Sequence, residues 1–373
     1  MKKKTLFIIW SFSYGGGAEK ILSNVVNNMD PEKYDIDILE YQYAGIKKEK
    51  INDNINLLPP IINVKNRSIF NRIKNAIIGF LITRHPEIIR KRFLNKTYDV
   101  EISFNNLIPT FLLNKKSKLK LSWVHGAIYD IARNERLLKV QDKYFKNVDK
   151  IVAISNETYN SIVNTYPKYR NKTVIIYNGY EFDNIIKMAK EKANEKFDII
   201  YCGRLDENKD PVKLLKIMKI IKEKGYNFKL AYIGEGILKQ ELEDKIANWN
   251  MQDSVKLLGF QNNPYKYMNE SKIICMTSHS EGFPTVIIEG MTLGKPFIST
   301  PVAGVDEMSD NNKCGYIESE ETKYADRIIQ LLTDENLYKE MSKNCKHNVK
   351  RFSMSNQIKK IEDLIEEGNI WEK

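Results

Sequence analysis

Short apolar runs alternate along this chain with longer stretches in which apolar residues recur every three or four positions, the signatures of buried strands and one-sided helices. In the first half the runs fall at 5–12 (TLFIIWSF), 35–41, 98–104, 119–124, 150–154 and 173–177. In the second they fall at 197–202 (FDIIYC), 228–233, 254–258, 272–276 and 296–299, with helical patterns at 211–224, 237–248, 284–293 and 322–345. Strand and helix in alternation predict an α/β fold whose parallel sheets are covered on both faces. The pattern restarts near 197, so two such sheets are expected, with the charged stretch 183–196 (DNIIKMAKEKANEK) as their link. Ligands of doubly wound sheets bind outside the carboxyl ends of the strands. The expected site is therefore a cleft between two domains, and the loops that follow strands carry the chemistry.

Length agrees with two domains: 373 residues exceed the roughly 250–300 at which a single core stops growing. The start, MKKKTLFIIWSF, combines basic residues with an apolar run, but no small-residue cleavage site follows, so it reads as a buried first strand rather than a signal peptide. No window approaches the ~18–20 uninterrupted apolar residues of a spanning helix. The expectation is a chain in the cytoplasm, soluble or peripheral on the inner face of the cell membrane. Cys202, Cys275, Cys314 and Cys345 are far apart and form no CxxC pair, which suggests neither a zinc site nor a redox motif.

Charge divides the halves. Net charge is +11, but residues 1–190 hold 32 Lys/Arg against 18 Asp/Glu, whereas 191–373 hold 27 against 30. A positive first half beside a slightly negative second suggests a polyanionic partner for the first alone: nucleic acid, an anionic membrane surface or a diphosphate-bearing acceptor.

Three strand-following loops carry candidate chemistry. After the first strand, Gly15-Gly16-Gly17 opens a helical pattern, so backbone N–H groups could approach a phosphate there; the loop is neither a Walker A motif nor GxGxxG. The strand at 197–202 runs into Gly203-Arg204-Leu205-Asp206-Glu207-Asn208-Lys209-Asp210-Pro211. Pro211 suits a first helical position, and Arg204 and Lys209 beside a helix start would clamp a diphosphate or simply face solvent. The strand at 272–276 leads into SEGFPTVIIEGMTLGKP, where Pro284 fits a first helical turn and Gly294 a helix stop. Glu281 then lies in the loop and Glu289 inside the helix, among Val286, Ile287, Ile288 and Met291; a carboxylate so placed either is buried with donors or faces a cleft. His125 ends another strand, where a lone histidine is more often structural.

The order of the GGG loop, GRLDxxKD and S-E-G-F-P-x-x-x-x-E-x-M-x-x-G-K-P resembles glycosyltransferase family 4, bacterial surface-polysaccharide enzymes of the GT-B architecture, over nearly the whole chain. The likeness implies two Rossmann-like domains: an acceptor domain at 1–185 and a nucleotide-sugar donor domain at 186–352. It also implies a last helix at 353–373 crossing back to the first. By that resemblance Glu281 lies beside the donor sugar and Glu289 binds the ribose hydroxyls. Gly282, Phe283, Pro284, Thr285 and Val286 line sugar and diphosphate, Arg204 and Lys209 hold the diphosphate, and Gly16 and Gly17 close over it. His125 matches a histidine near the reacting carbon, Asn178-Gly179 a motif at the domain junction, and Gly234 and Phe260 segments near the base. The implied reaction transfers a hexose or N-acetylhexosamine from a nucleotide sugar, by family frequency a UDP-sugar, to a sugar or lipid-linked acceptor. It proceeds with retention by front-face displacement, with no cofactor and no metal; no two-carboxylate glycosidase geometry is present in the motif.

Three features test that reading. Asp35-Ile36-Asp37 could mark a metal-dependent GT-A enzyme, but it begins a strand, where both acids are expected to point to solvent. Gly290 replaces the family's more usual alanine at a helix cost of about 1 kcal/mol, which tight packing would explain. Residues 65–96 contain nine Lys/Arg and one acid, Glu87, with Ile69, Phe70, Ile73, Ile77, Phe80 and Leu81 at helical spacing. Such a segment either lies on an anionic bilayer or packs on the sheet with a solvated basic face. Outside transfer, the alternatives are a nucleotide-sugar-binding protein and an epimerase or hydrolase of the same fold.

Overall fold

The computed structural model describes residues 2–14, 17–46, 49–66, 68–94, 96–128, 134–281 and 283–367. The chain divides into two units, 1–179 with 354–373, and 180–353.

In the first unit a seven-stranded parallel sheet forms among the described residues, in the order β4-β2-β1-β6-β7-β8-β9. Its strands are β1 (Lys3–Ile9), β2 (Tyr34–Glu40), β4 (Ile55–Leu57), β6 (Val100–Ser103), β7 (Leu119–Val124), β8 (Lys150–Ala153) and β9 (Thr173–Ile175). β3 (Gln42–Tyr43) and β5 (Ile62–Asn63) make a separate pair. Leu6 through Ile9 are all buried because β1 is central and covered on both faces, as an uninterrupted apolar run requires. One face packs Phe7, Phe104 and Trp123 against α1 (Gly17–Asn28) and the last helix, Met354–Glu367, through Ile358, Ile361 and Ile365. The other packs Leu6, Ile8 and Leu39 against α2 (Ile69–Arg84) and α3 (Pro86–Phe93) through Ile78, Ile82 and Ile89.

The second unit holds a six-stranded parallel sheet, β12-β11-β10-β13-β14-β15. These are β10 (Ile199–Cys202), β11 (Leu230–Ile233), β12 (Val255–Leu257), β13 (Ile273–Met276), β14 (Phe297–Ser299) and β15 (Gly315–Ile317). Tyr201, Tyr232, Ile273 and Ile298 pack one face against helix Pro211–Glu223 through Leu214 and Met218.

Three expectations are corrected. The stretch 183–196 is not a free link: helix Phe182–Met188 runs through the expected boundary at 185 and belongs whole to the second unit. Ile185 is buried, and Asn263 and Asn269 donate side-chain hydrogen bonds to the Met188 and Ala189 carbonyls at 2.9 and 3.1 Å. The helical pattern at 322–345 is two helices, Glu321–Thr333 and Glu335–Asn348, because Asp334 leaves helical geometry and caps the second by accepting from the Leu337 N–H at 3.0 Å. Asp35 is exposed as expected, but Asp37 is buried, accepting from the Tyr98 hydroxyl at 2.6 Å, Lys96 at 3.1 Å and Asn56 at 3.1 Å. Alternation failed as a guide there because helices cover both faces of this sheet.

Candidate active site

β10 and β13 are neighbours in register, Ile199 opposite Ile273, so the loops leaving their carboxyl ends emerge side by side. Each loop is braced from below. The Tyr201 hydroxyl donates to the Arg204 carbonyl at 2.9 Å, and the Leu205 N–H to the Glu235 carbonyl at 3.0 Å. Asp210 caps helix Pro211–Glu223 by accepting from the Lys213 N–H at 3.0 Å, yet its own φ is 41°, a left-handed geometry that stores strain in a non-glycine residue.

The second loop is stitched to the first. Thr277 donates to the Asp210 carbonyl at 2.7 Å, the His279 N–H to the Asn208 carbonyl at 2.8 Å, and the Asn208 amide to the Ser280 carbonyl at 3.0 Å. His279 Nε2 lies 3.2 Å from the Asp210 carboxylate. Across this seam Lys209 Nζ pairs with Glu281 Oε1, both side chains mostly buried. Arg204 by contrast is exposed, with Nε 3.1 Å from Asp206. The seam thus carries two cations, Lys209 held by a mostly buried carboxylate and Arg204 facing solvent beside Asp206.

Helix Thr285–Thr292 follows. Pro284 is its N-cap rather than its first helical residue and offers no side-chain acceptor, while Gly294, at φ 72°, follows its end. The first amides of such a helix suit an anion. Thr285 is exposed, Val286 half-buried, and the Phe283 ring packs on Gly304 and edge-on to Phe352 at 5.5 Å between centroids. Glu289 is half-buried and hydrogen-bonded by the Tyr265 hydroxyl, which burial and then Glu289 push up to about 12. The Cys202 thiol, at the end of β10, is pushed up to about 12 by burial and next by Glu289. Glu289 thus faces the carboxyl edge of the sheet rather than the core. The tight packing expected at Gly290 is present: a Cβ there would lie 2.6 Å from Ile274 Cγ1.

The remaining candidates scatter in role. Gly234, at φ 143°, admits no side chain, since a Cβ would sit 1.9 Å from the Gly203 carbonyl oxygen; it lets two strand-following loops touch backbone to backbone. Phe260 is exposed. In the first unit His125 follows β7 with its ring against Phe104 at 5.0 Å. Burial lowers its pKa to about 4, partly opposed by a hydrogen bond to the Phe104 carbonyl, and its Nε2 is buried without a partner among the described residues. The ring is therefore neutral near pH 7. Asn178 is buried with Oδ1 unpartnered among the described residues, and the Gly179 N–H donates to Gln357 Oε1 at 2.8 Å, which seats the last helix. Gly17 opens α1. Gly16 and Gly282 lie outside the described residues.

Several contributors have no motif to announce them. Asn208, Thr277 and Tyr265 act through hydroxyls and amides whose partners are remote in sequence; Tyr201 bonds locally, to Arg204, and its polar tip on an otherwise apolar strand is the one available signal. In the first unit, buried Glu40 accepts from the Phe12 N–H at 2.8 Å and the Ser13 hydroxyl at 3.0 Å, fixing the start of the glycine loop. It lines a cleft of about 510 Å³ with Tyr43, Pro59 and Asn63 at the carboxyl ends of β1, β2 and β4.

The chain is similar to known proteins in sequence and in fold. The family model for glycosyl transferases group 1 matches residues 182–348. The chain is 30% identical to the Campylobacter jejuni N-acetylgalactosamine-N,N'-diacetylbacillosaminyl-diphospho-undecaprenol 4-alpha-N-acetylgalactosaminyltransferase, over 94% of this chain and 96% of that protein. Among solved structures, HepE from Anabaena in complex with UDP matches with a TM-score of 0.71 and 16% identity, over 98% of this chain and 100% of that one. The lipopolysaccharide outer core galactosyltransferase WaaB, in its apo form, also matches at 0.71, with 17% identity over 97% and 99%. The two-sheet architecture is that of the GT-B glycosyltransferases.

Proposed function

The chain belongs to the group 1 glycosyl transferases, and from that premise we propose that it moves a hexose or N-acetylhexosamine from a UDP-sugar to a sugar or lipid-linked acceptor in bacterial cell-surface glycan synthesis. The observation that carries the donor half is the seam between the loops after β10 and β13, where Arg204, Lys209 and Glu281 gather beside the start of helix Thr285–Thr292. UDP in the HepE complexes supports the base, and the diphospho-undecaprenol in the name of the Campylobacter relative supports a lipid-linked acceptor.

In this reading Arg204, Lys209 and the first amides of Thr285–Thr292 take the diphosphate, Glu289 the ribose and Glu281 the sugar. Main-chain groups of Phe283 and Thr285 line the pocket. The acceptor hydroxyl oxygen bonds to the anomeric carbon as the bond to the diphosphate breaks. The proton passes to the departing phosphate oxygen on the same face, so configuration is retained. Cationic side chains and a helix dipole stabilise the leaving charge in the place of a metal. Neutral His125 donates its ring N–H to the Phe104 carbonyl, which leaves Nε2 as an acceptor for a sugar hydroxyl.

Thermal unfolding with a panel of nucleotide sugars tests the proposal: a ligand at 100 times its dissociation constant stabilises by about 2.7 kcal/mol. A shift confined to UDP-sugars, with acceptor-dependent release of UDP, is expected. Release at the same rate without acceptor would mean hydrolysis, and stabilisation without any turnover would mean a binding protein.

A further inference from the structure

Helix α2 is apolar on both sides. Its inner side buries Ile78 and Ile82 against Leu6, Ile8 and Leu39 of the sheet, with Ile89 of α3 alongside. Its outer side is the stripe expected from helical spacing, and none of the described residues covers it: Ile69 and Phe70 are more than three-quarters exposed, and Ile73, Ile77 and Phe80 more than half. Ile88 on α3 adds to the same exposed surface, and between the helices runs an open groove of about 750 Å³ lined by Phe70, Ile73, Ile77, Ile88 and Phe93. A helix apolar all round belongs in a core or against a partner, and a contiguous exposed apolar patch marks an interaction surface.

The rim identifies the partner. Lys74, Lys91 and Arg92 line the groove, and Arg72 and Arg84 stand exposed on α2, Arg84 with its guanidinium 4.0 Å over the Phe80 ring. The two cations of this segment that have buried acidic partners, Arg90 with Glu101 and Lys96 with Asp37, are a different set. Arg67 lies outside the described residues. A second copy of the chain would bring one basic rim against another. A bilayer with anionic headgroups offers hydrocarbon to the stripe and negative charge to the rim at the same depth.

We propose that the outer face of the α2–α3 hairpin seats on an anionic lipid bilayer, with Phe70, Ile73, Ile77 and Ile88 in the headgroup–acyl boundary and Arg72, Lys74, Lys91 and Arg92 among the phosphates. The surface is tied to the 510 Å³ cleft: Asn75 of α2 donates through Nδ2 to the carbonyl of Asn63, a cleft-lining residue, at 3.1 Å. Docking would hold that cleft beside the membrane, where a lipid-carried acceptor is found. The surface itself requires no transfer chemistry, so its failure leaves the transferase reading standing.

Co-sedimentation of the full chain with vesicles of phosphatidylcholine alone, or mixed with phosphatidylglycerol, tests it. Binding to the mixed vesicles at low salt is expected, weakened by salt and by neutral lipid. Lys74→Glu/Lys91→Glu/Arg92→Glu should lower partitioning at least about tenfold. Ile73→Asp/Ile77→Asp should abolish it with an unchanged melting temperature, since both sites are exposed; should that pair melt early, Phe70→Ser serves in its place. Equal binding to neutral and anionic vesicles, or variants that bind like the parent, would overturn the proposal. So would a dimer in sedimentation velocity that Ile73→Asp dissociates, which would assign the face to a second copy.

Discussion

Lys209 and Glu281 lie 72 positions apart and form an ion pair across the seam between two strand-following loops. Each therefore holds the other's charge in place before any ligand arrives, and neither can be removed without exposing its partner. Under the proposed roles the two removals differ in what they damage. Lys209→Ala deletes a diphosphate donor and leaves an unpaired carboxylate beside the phosphates, so affinity for UDP should fall roughly 10- to 100-fold, the range of a lost charged hydrogen bond. Glu281→Gln keeps the shape and frees Lys209, so UDP affinity should hold or rise while transfer falls about 100-fold or more. Titration calorimetry with UDP, read beside transfer rates, separates the two. Parallel losses in both assays would mean that the pair only braces the loops.

Glu289 is hydrogen-bonded by Tyr265, a partner outside the family motif. If that carboxylate binds the ribose, Glu289→Ala should weaken UDP about 10- to 100-fold. It should leave inorganic diphosphate binding unchanged, because the cations are untouched. Tyr265→Phe removes only the hydroxyl that orients the carboxylate, and a change of a few-fold is expected. Unchanged affinity for UDP in Glu289→Ala would remove the ribose assignment.

How far these relations could be read in advance depends on how local they are. Most strands declare themselves because a parallel sheet covered on both faces needs uninterrupted apolar runs, as at 6–9 and 273–276. β3, β4, β5 and β15 are two or three residues long, too short for any period, and the equally short β9 and β12 are legible only because the longer runs 173–177 and 254–258 contain them. The motif residues were visible as residue types after strands, but the seam that joins them was not. The bonds from Thr277 to Asp210 and from His279 to Asn208 span 67 and 71 positions, and no local pattern encodes them. Asp37 was misjudged for the same reason: its partners Tyr98 and Lys96 arrive from a distant turn.

Gly290 supports a packing prediction. Alanine would favour the helix by about 1 kcal/mol, yet its Cβ would lie 2.6 Å from Ile274 Cγ1. Steric conflict with β13 should win, and Gly290→Ala should destabilise by about 1–3 kcal/mol. In an Ile274→Ala background, which removes the conflicting carbon, the same change should cost less or stabilise, a coupling of about 0.5–3 kcal/mol. Urea unfolding of the four proteins of the cycle measures it, and strict additivity would show that the helix shifts to make room.

His125 sets a pH limit. Its folded pKa is depressed to about 4 by burial, against about 6.5 in an unfolded chain. Between those values the unfolded chain binds the extra proton, so stability rises with pH across the interval. Above about pH 6.5 the histidine carries no penalty. On acidification through that value the penalty grows, and it levels off below about 4, where both states are protonated. His125→Asn cannot titrate in this range, so the difference in melting temperature between parent and variant should shift in the variant's favour from pH 7 to pH 5. A pH-independent difference would mean that the ring is solvated and titrates normally. In that case the buried Nε2 on which its proposed contact with the sugar depends would be lost.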